Sequence, residues 1–450
     1  FRLLVFLVAI GFFMQGLDTT IINTAIPAIA HSLNEDPLSM HSVVVAYVLS
    51  VAACIPLSGW LADRFGVRNT FFVAIVIFTF ASLGCAFSSS LNELLIYRVI
   101  QGIGGAFLLP VGRLAMLRII PRTQFLAAMS LMSLAGLIGP LIGPTLGGWM
   151  VEYMTWHWIF LINIPMGILG VFVTFKAMPN VKETTVKKFD FSGFILLVFA
   201  MVGLSLGIEN LANKQNAAWV SIALIITGVV ATLIYAFHAI NHQNALFRAS
   251  LFKNRIFTIG ILGNFFARFG GNALPFLLPL MLQVAFGFDP FITGLLMIPT
   301  VLGSLASKPI IRPLIQRFGY RQVLLINTLL VGVCIASFAL HTADTPTWFR
   351  LIHFFIFGVL NSIQFVSMNK LTLKDLSQQN ASSGNSFLSM IMMLSMSLGV
   401  ALAGTLVNVF TQHLGTVHTL QAFNYTLLCL ASINIIAALI FWQIPKNTPI

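Results

Sequence analysis

Apolar runs long enough to cross a membrane follow one another from the first residues of this chain to the last. We read them near 3–30, 42–62, 70–90, 93–117, 125–151, 157–177, 190–209, 218–238, 256–284, 290–311, 321–340, 347–369, 382–408 and 421–443. Twenty apolar residues in a helix extend about 30 Å, the thickness of the hydrocarbon core of a bilayer. In that medium every backbone N–H and C=O must be satisfied within its own segment, so each run predicts a helix. The expectation is an all-α polytopic membrane protein of fourteen transmembrane helices. Composition agrees: 58% of residues are hydrophobic and 8% charged, with a mean hydropathy of +0.95. A soluble body of 450 residues would need far more charge to cover its surface. The first run lacks a small-residue cleavage site and is expected to stay as a span.

The breaks between runs carry turn and charge signals, and the charges are placed unevenly. Of the 24 Lys and Arg, only Lys214 and Arg350 fall in loops on one side, and Arg98, Arg113 and Arg268 lie within spans. The rest, among them Arg64, Arg68, Arg118, Arg122, Lys187 and Arg317, fall on the other side. This bias places both termini in the cytoplasm, in a plasma membrane such as the bacterial inner membrane. The net charge of +12 then faces anionic headgroups, and nucleic acid is not expected as a partner. Cys54, Cys85, Cys334 and Cys429 are widely spaced within apolar runs, which predicts no metal site and no disulfide framework. No HExxH, CxxC or GxxxxGK[ST] occurs, so neither an enzyme nor an ATP-driven pump is expected, and no cofactor.

ADRFGVR (62–68) follows the second span and IQRFGYR (315–321) the tenth. With the seventh and eighth spans taken as an insertion, each RFGxR follows the second helix of a six-helix half. The expected domains are 1–177, 178–254 for linkers and two inserted helices, and 255–450. Parallel repeats of this kind place a substrate site near the bilayer midplane.

Asp18 stands inside the first run, in GFFMQGLDTTIINTAIP. A carboxylate there is costly and points to function, with Gln15 or Asn23 as structural partners in the competing reading. Burial raises a carboxylate pKa and a nearby arginine lowers it, so a site of alternating exposure can load and release a proton. Arg98 in RVIQGIGGAF lies about 9 Å into its span, at about 1.5 Å per residue from Glu93, and needs a partner or a wet cavity.

Five further stretches stand out. GWLADRFGVR is a short turn in which Gly59 permits close packing, Asp63 can accept hydrogen bonds, Gly66 turns the chain, and Arg64 and Arg68 stay in the cytoplasm. GLIGPLIGPTLGG interrupts a helix at Pro140 and Pro144 and thins it at Gly139, Gly143, Gly147 and Gly148. LDTTIINTAIP, WHWIFLINIPMG and FDFSGF complete the set. Over nearly the whole chain these motifs resemble the major facilitator superfamily, specifically its fourteen-span drug:proton antiporters. LSGWLADRFGVRN, LLPVGRL and SMNKLTLKDL make the chain most similar to the multidrug resistance protein D-type subgroup.

The resemblance implies a major facilitator fold, two six-helix bundles with two extra central helices. It implies a monomeric antiporter that exports small molecules against protons, with the proton gradient as driving force. By resemblance, Arg98 is tied to proton coupling, the loop at 59–68 is a charge latch, and GPxxGG controls opening between the halves. The thirteenth span lacks the acids that exporters of cationic drugs often carry, while Arg268 sits in GNFFARFGG, read as a broken helix, and Arg113 near an inner end. A guanidinium binds carboxylates through a two-pronged fork. The substrate expectation is therefore an anionic or zwitterionic metabolite, such as citrate, iron-citrate or a carboxylate siderophore. Broad efflux of cationic or lipophilic drugs is the alternative, and an importer or facilitator of the same fold the second. Asn361, Gln364, Asn369, Ser383 and Asn385 are candidate polar contacts to substrate, or hydrogen bonds between helices.

Overall fold

The computed structural model of the chain describes residues 2–184, 186, 188–212, 218–446 and 448. Lys187 and Lys214, used in the charge bias, lie outside the described residues, as does the side chain of Arg122. Among the described residues all regular structure is helical. The helices are α1 (Arg2–Ile21), α2 (Ile26–Leu33), α3 (His41–Phe65), α4 (Val67–Ala86), α5 (Leu91–Ile119), α6 (Arg122–Tyr153), α7 (Trp158–Leu161) and α8 (Asn163–Ala177). They continue as α9 (Phe191–Asn210), α10 (Ala218–Asn241), α11 (Arg255–Val284), α12 (Pro290–Ser337), α13 (Thr347–Leu373), α14 (Gln378–Leu414) and α15 (Thr419–Trp442).

Thirteen helical segments among the described residues are long and apolar enough to cross a membrane. One of them, Pro290–Leu340, holds 51 residues, enough for two crossings, and breaks at Gly319. That brings the crossings to the fourteen expected. The break is the second RFGxR. Gly319 has φ 75° and ψ 162°, and Gly66 in the first RFGxR has φ 90° and ψ 151°. Both lie in the region that favours glycine, so the repeat in sequence is also a repeat in backbone geometry.

The first span differs from its expected extent of 3–30. The helix ends at Ile21, passes through a 3₁₀ turn at Ile22–Thr24, and restarts as α2. Pro27 is the cause: it cannot donate to the preceding turn, and it stands at the start of α2, where no donor is needed. Asp18 therefore sits one turn before a helix end, not at the centre of a long span. Arg350 also differs from its expected place in a loop. It is buried in the first turn of α13, donates to the carbonyls of Thr342, Ala343 and Thr345, and lies against the rings of Phe286 and Phe288.

The chain divides into two compact units: one up to Phe189 together with Asp289–Leu295, the other Asp190–Phe288 and Leu296 onward. In the first, α1 packs along α6, and α5 packs between α3 and α4. In the second, Ala267, Ile311, Leu324, Met368 and Phe441 form a core between α11, α12, α13 and α15. The inserted α9 and α10 belong to this unit. A Cβ added at Gly203 would lie 2.9 Å from the backbone of Gly228, so the two glycines let the pair close up. Two hydrogen bonds dock α9 on α14, Ser205 with Ser397 and Thr405 to the Ile208 carbonyl, and Gln412 donates to the Ala212 carbonyl just past the end of α9. In α10 only 22% of the apolar window is buried, against 78% in α11. Trp219, Leu233 and Phe237 stand exposed on it, a surface suited to lipid tails.

Candidate functional site

Asp18 and Arg98, 80 residues apart, meet inside the first unit. Arg98 Nη1 lies 2.7 Å from Asp18 Oδ2, and the two residues are 0% and 1% exposed. Gln101 follows Arg98 by three residues and so shares its face of α5. Its Nε2 donates to Asp18 Oδ1 at 2.9 Å and to Ser82 Oγ at 2.8 Å. Its Oε1 accepts from Arg98 Nη1 at 2.7 Å. Asn163, at the start of α8, donates to Asp18 Oδ1 at 3.3 Å. Arg98 Nε donates to the Val43 carbonyl at 3.2 Å, and the guanidinium lies 4.3 Å from the centroid of Tyr47. Five helices, α1, α3, α4, α5 and α8, thus contribute to one buried polar cluster around Asp18 and Arg98. Gln15 and Asn23, the partners of the competing reading, are not among the groups that bond Asp18, and their side-chain oxygens are buried without donors. Arg98 Nη2 is also buried without an acceptor.

The Gly–Pro face of α6 packs on the helix that carries Asp18. A Cβ at Gly139 would sit 2.7 Å from the backbone N of Leu17, and one at Gly143 would meet Thr20 and Ile21. Gly147 faces Ile21 and Thr24, and Thr24 Oγ1 donates to the Pro144 carbonyl at 3.1 Å. Pro140 touches the position of Gly16, and Gly148 faces Pro290 and Phe291. The stretch forms a small-residue track that sets how close α1 lies. Pro140 and Pro144 both remain inside a continuous α6.

The 59–68 turn is held by charge. Arg118 Nη2 lies 2.5 Å from Asp63 Oδ1 and 2.9 Å from Glu183 Oε1. The segment after α8 lies against the turn: Val67 N donates to the Val181 carbonyl at 3.0 Å, Glu183 N to the Asp63 carbonyl at 3.2 Å, and Asn180 to the Phe65 carbonyl at 3.3 Å. Arg64 stacks on Trp60 and Phe65, and Arg68 on Phe175. Gly59 departs from its expected role, because a Cβ there would meet nothing within 4 Å. Gln316 stands where the second repeat would carry the equivalent of Asp63. Asp63→Asn is expected to cost at most about 1 kcal/mol, because the pair is partly exposed. It should speed labelling of a cysteine placed at Asn180 without altering the melting temperature by more than a few degrees. Unchanged labelling would remove the latch role.

In the second unit Arg268 is 3% exposed. Its Nε donates to Asn264 Oδ1 and its Nη2 to Asn369 Oδ1, both at 3.0 Å, and it lies 4.0 Å from the centroid of Phe365. Among the described residues no carboxylate pairs with it. The expected break in its helix is absent: α11 runs on through Pro275 and Pro279 because neighbouring helices hold it. Gln364 does not reach toward Arg268; it bonds Asn327 and Thr328 of α12 at 2.8 and 2.7 Å. Asn361 is close to Gly271, and its Oδ1 is buried without a donor. Asn385 is exposed on α14, and Ser383 donates to the Leu246 carbonyl at 3.4 Å. Arg113 is exposed, 5.8 Å from the ring of Phe12.

Sequence reasoning missed Gln101, Asn163, Asn264, Arg118 and Glu183. Gln101 and Asn264 carried a signal, since they lie one helical turn from Arg98 and Arg268. Asn163 lay within WHWIFLINIP without a cue to its direction. The bond from Arg118 to Asp63 joins residues 55 apart, beyond any local pattern.

The sequence profile of the Major Facilitator Superfamily matches residues 8–246 and 260–449. MdtD of Escherichia coli O6:H1 (strain CFT073), a protein named for multidrug resistance, is 51% identical over 449 residues, covering 98% of this chain and 94% of its own. A POT family transporter solved with a thioalcohol-conjugated peptide superposes with a TM-score of 0.71 at 16% identity, covering 98% of this chain and 94% of that one. A D-xylose–proton symporter superposes with a TM-score of 0.68 at 16% identity, covering 99% and 98%.

Proposed function

The chain belongs to the major facilitator superfamily of membrane transporters, in its MdtD-type subgroup, and from that premise we propose that it is a proton-coupled exporter of drug-like small molecules. The observation that carries the coupling is the buried Asp18–Arg98 pair. A guanidinium and two amides all donate to this carboxylate. Taking up a proton removes the charge that holds Arg98, so protonation and separation of α1 from α5 favour one another. The Gly–Pro face of α6 against Leu17 and Ile21 gives that movement a smooth track. One proton crossing with the membrane potential supplies about 2.3 kcal/mol per 100 mV for work on the substrate. The relatives' name for multidrug resistance supports export of lipophilic or cationic compounds. The Lys and Arg bias supports cytoplasmic termini, and the bacterial relatives support an inner-membrane location.

Arg268 favours a second reading, an anionic or zwitterionic substrate. A buried guanidinium held only by amide oxygens and a ring leaves its charge for a carboxylate to answer. Inside-out vesicles with an imposed proton gradient separate the readings. Proton release on adding cationic dyes, with none on adding citrate or ferric citrate, supports drug efflux. The reverse pattern establishes the anion reading. No response to either class, with equilibration of both across the membrane, makes the protein a facilitator.

A further inference from the structure

We propose that Asp190, His238 and His242 form a binding site for a divalent transition-metal ion of the zinc type, at the base of the inserted α9–α10 pair. Their candidate ligand atoms all lie within 4.8 Å of one another. His238 lies in the last turn of α10 and His242 directly follows the helix, its N–H still donating to the His238 carbonyl at 2.9 Å; their rings stack at 4.8 Å, the i, i+4 spacing by which two imidazoles share an ion. Asp190 caps α9, and its carboxylate faces both: His238 Nε2 lies 3.0 and 2.9 Å from its two oxygens.

The carboxylate is already oriented. Gly193 N donates to Oδ1 at 2.9 Å, Ser192 Oγ to Oδ1 at 3.2 Å, and Leu246 N to Oδ2 at 3.2 Å. Such outer hydrogen bonds are the usual companions of metal-binding carboxylates. Ligand atoms around tetrahedral zinc lie about 3.3 Å apart, so His238 need retreat by only a few tenths of an ångström and His242 turn inward. Asp190 is buried and His242 exposed, which leaves a solvent-facing entry and a free coordination position. Two imidazoles and one carboxylate suit zinc and its neighbours better than calcium or magnesium, which prefer oxygen. Local residue spacing does not mark this trio, because Asp190 is 48 residues from His238.

An ion here would tie together the start of α9, the end of α10 and the segment after it. That segment is pinned by Phe247 N to Tyr235 Oη at 3.0 Å. The competing reading is a plain His238–Asp190 ion pair, which has no use for His242.

The test is a Co²⁺ titration of the full chain, purified in detergent without a polyhistidine tag, followed by the visible absorption of low-coordinate Co²⁺ and displaced with Zn²⁺. One Co²⁺ per chain is expected, displaced by Zn²⁺. Loss of an outer partner of a metal ligand costs about 10–100-fold in affinity. Loss of the ligand itself in His242→Ala should cost at least as much, while melting temperature without metal stays the same. His413→Ala, outside the site, should leave binding intact. The absence of a saturable Co²⁺ band, or equal affinity in His242→Ala, would overturn the site and leave the ion pair alone.

Discussion

Asp18→Asn is expected to abolish proton release on substrate addition and to destabilise the protein by roughly 3–5 kcal/mol, the usual cost of leaving a buried charge without its partner. Two effects are superposed in that variant. The amide cannot carry the proton, and it leaves Arg98 with Gln101, a carbonyl and an aromatic ring as its remaining partners. A double-mutant cycle separates them. Arg98→Met should be about as costly alone, because Asp18 would then be the orphaned charge. Asp18→Asn with Arg98→Met removes both charges and should regain most of the loss, since replacing a whole buried pair by neutral groups is often nearly neutral. Proton release should remain absent in all three variants. If the stabilised double variant still released protons in response to substrate, the carboxylate would be structural and the carrier would lie elsewhere. If Asp18→Asn alone kept full coupling, the same conclusion would follow directly.

Replacing Arg268 should have the opposite sign for stability. A buried ion without a counter-charge carries an effective penalty of several kcal/mol, whereas removing it leaves two amide oxygens short of a donor at about 1 kcal/mol each. Arg268→Met is therefore expected to raise the unfolding free energy by about 1 kcal/mol or more while abolishing any response to anionic compounds. A functional residue held at a cost to stability is the pattern such a trade-off produces. Calorimetry in detergent reads the first effect and the vesicle assay the second. Unchanged transport of every responding compound, with a stability gain, would take Arg268 out of the substrate site and leave the drug-efflux reading standing on its own. A loss of stability would show that the amide cage and Phe365 fully compensate the charge.

Much of the architecture was legible because a bilayer punishes ambiguity. Segments of some twenty apolar residues have one stable conformation there, so the crossings could be counted, and RFGxR at 64–68 and 317–321 marked corresponding turns. The misjudged details all depend on neighbours. The end of α1 at Ile21 was readable from Pro27 but was merged into a longer run. The unbroken α11 was not readable, because glycines that suggest a break also suit close packing, and only the helices around it decide.

Asp18 and Arg98 were each marked by the expense of charge in an apolar run, a property of single residues that sequence records in full. By itself, then, the sequence determined an all-helical membrane transporter and the identity of its costly residues. Tertiary structure alone decided which of them touch. It joined Asp18 to Arg98, Gln101 and Asn163, gave Arg268 amides in place of a counter-ion, and set Asp190 beside His238 and His242. The reason is physical. Burial energy depends on composition along one segment, whereas hydrogen bonds and ion pairs act over about 3 Å between segments whose approach is set by packing.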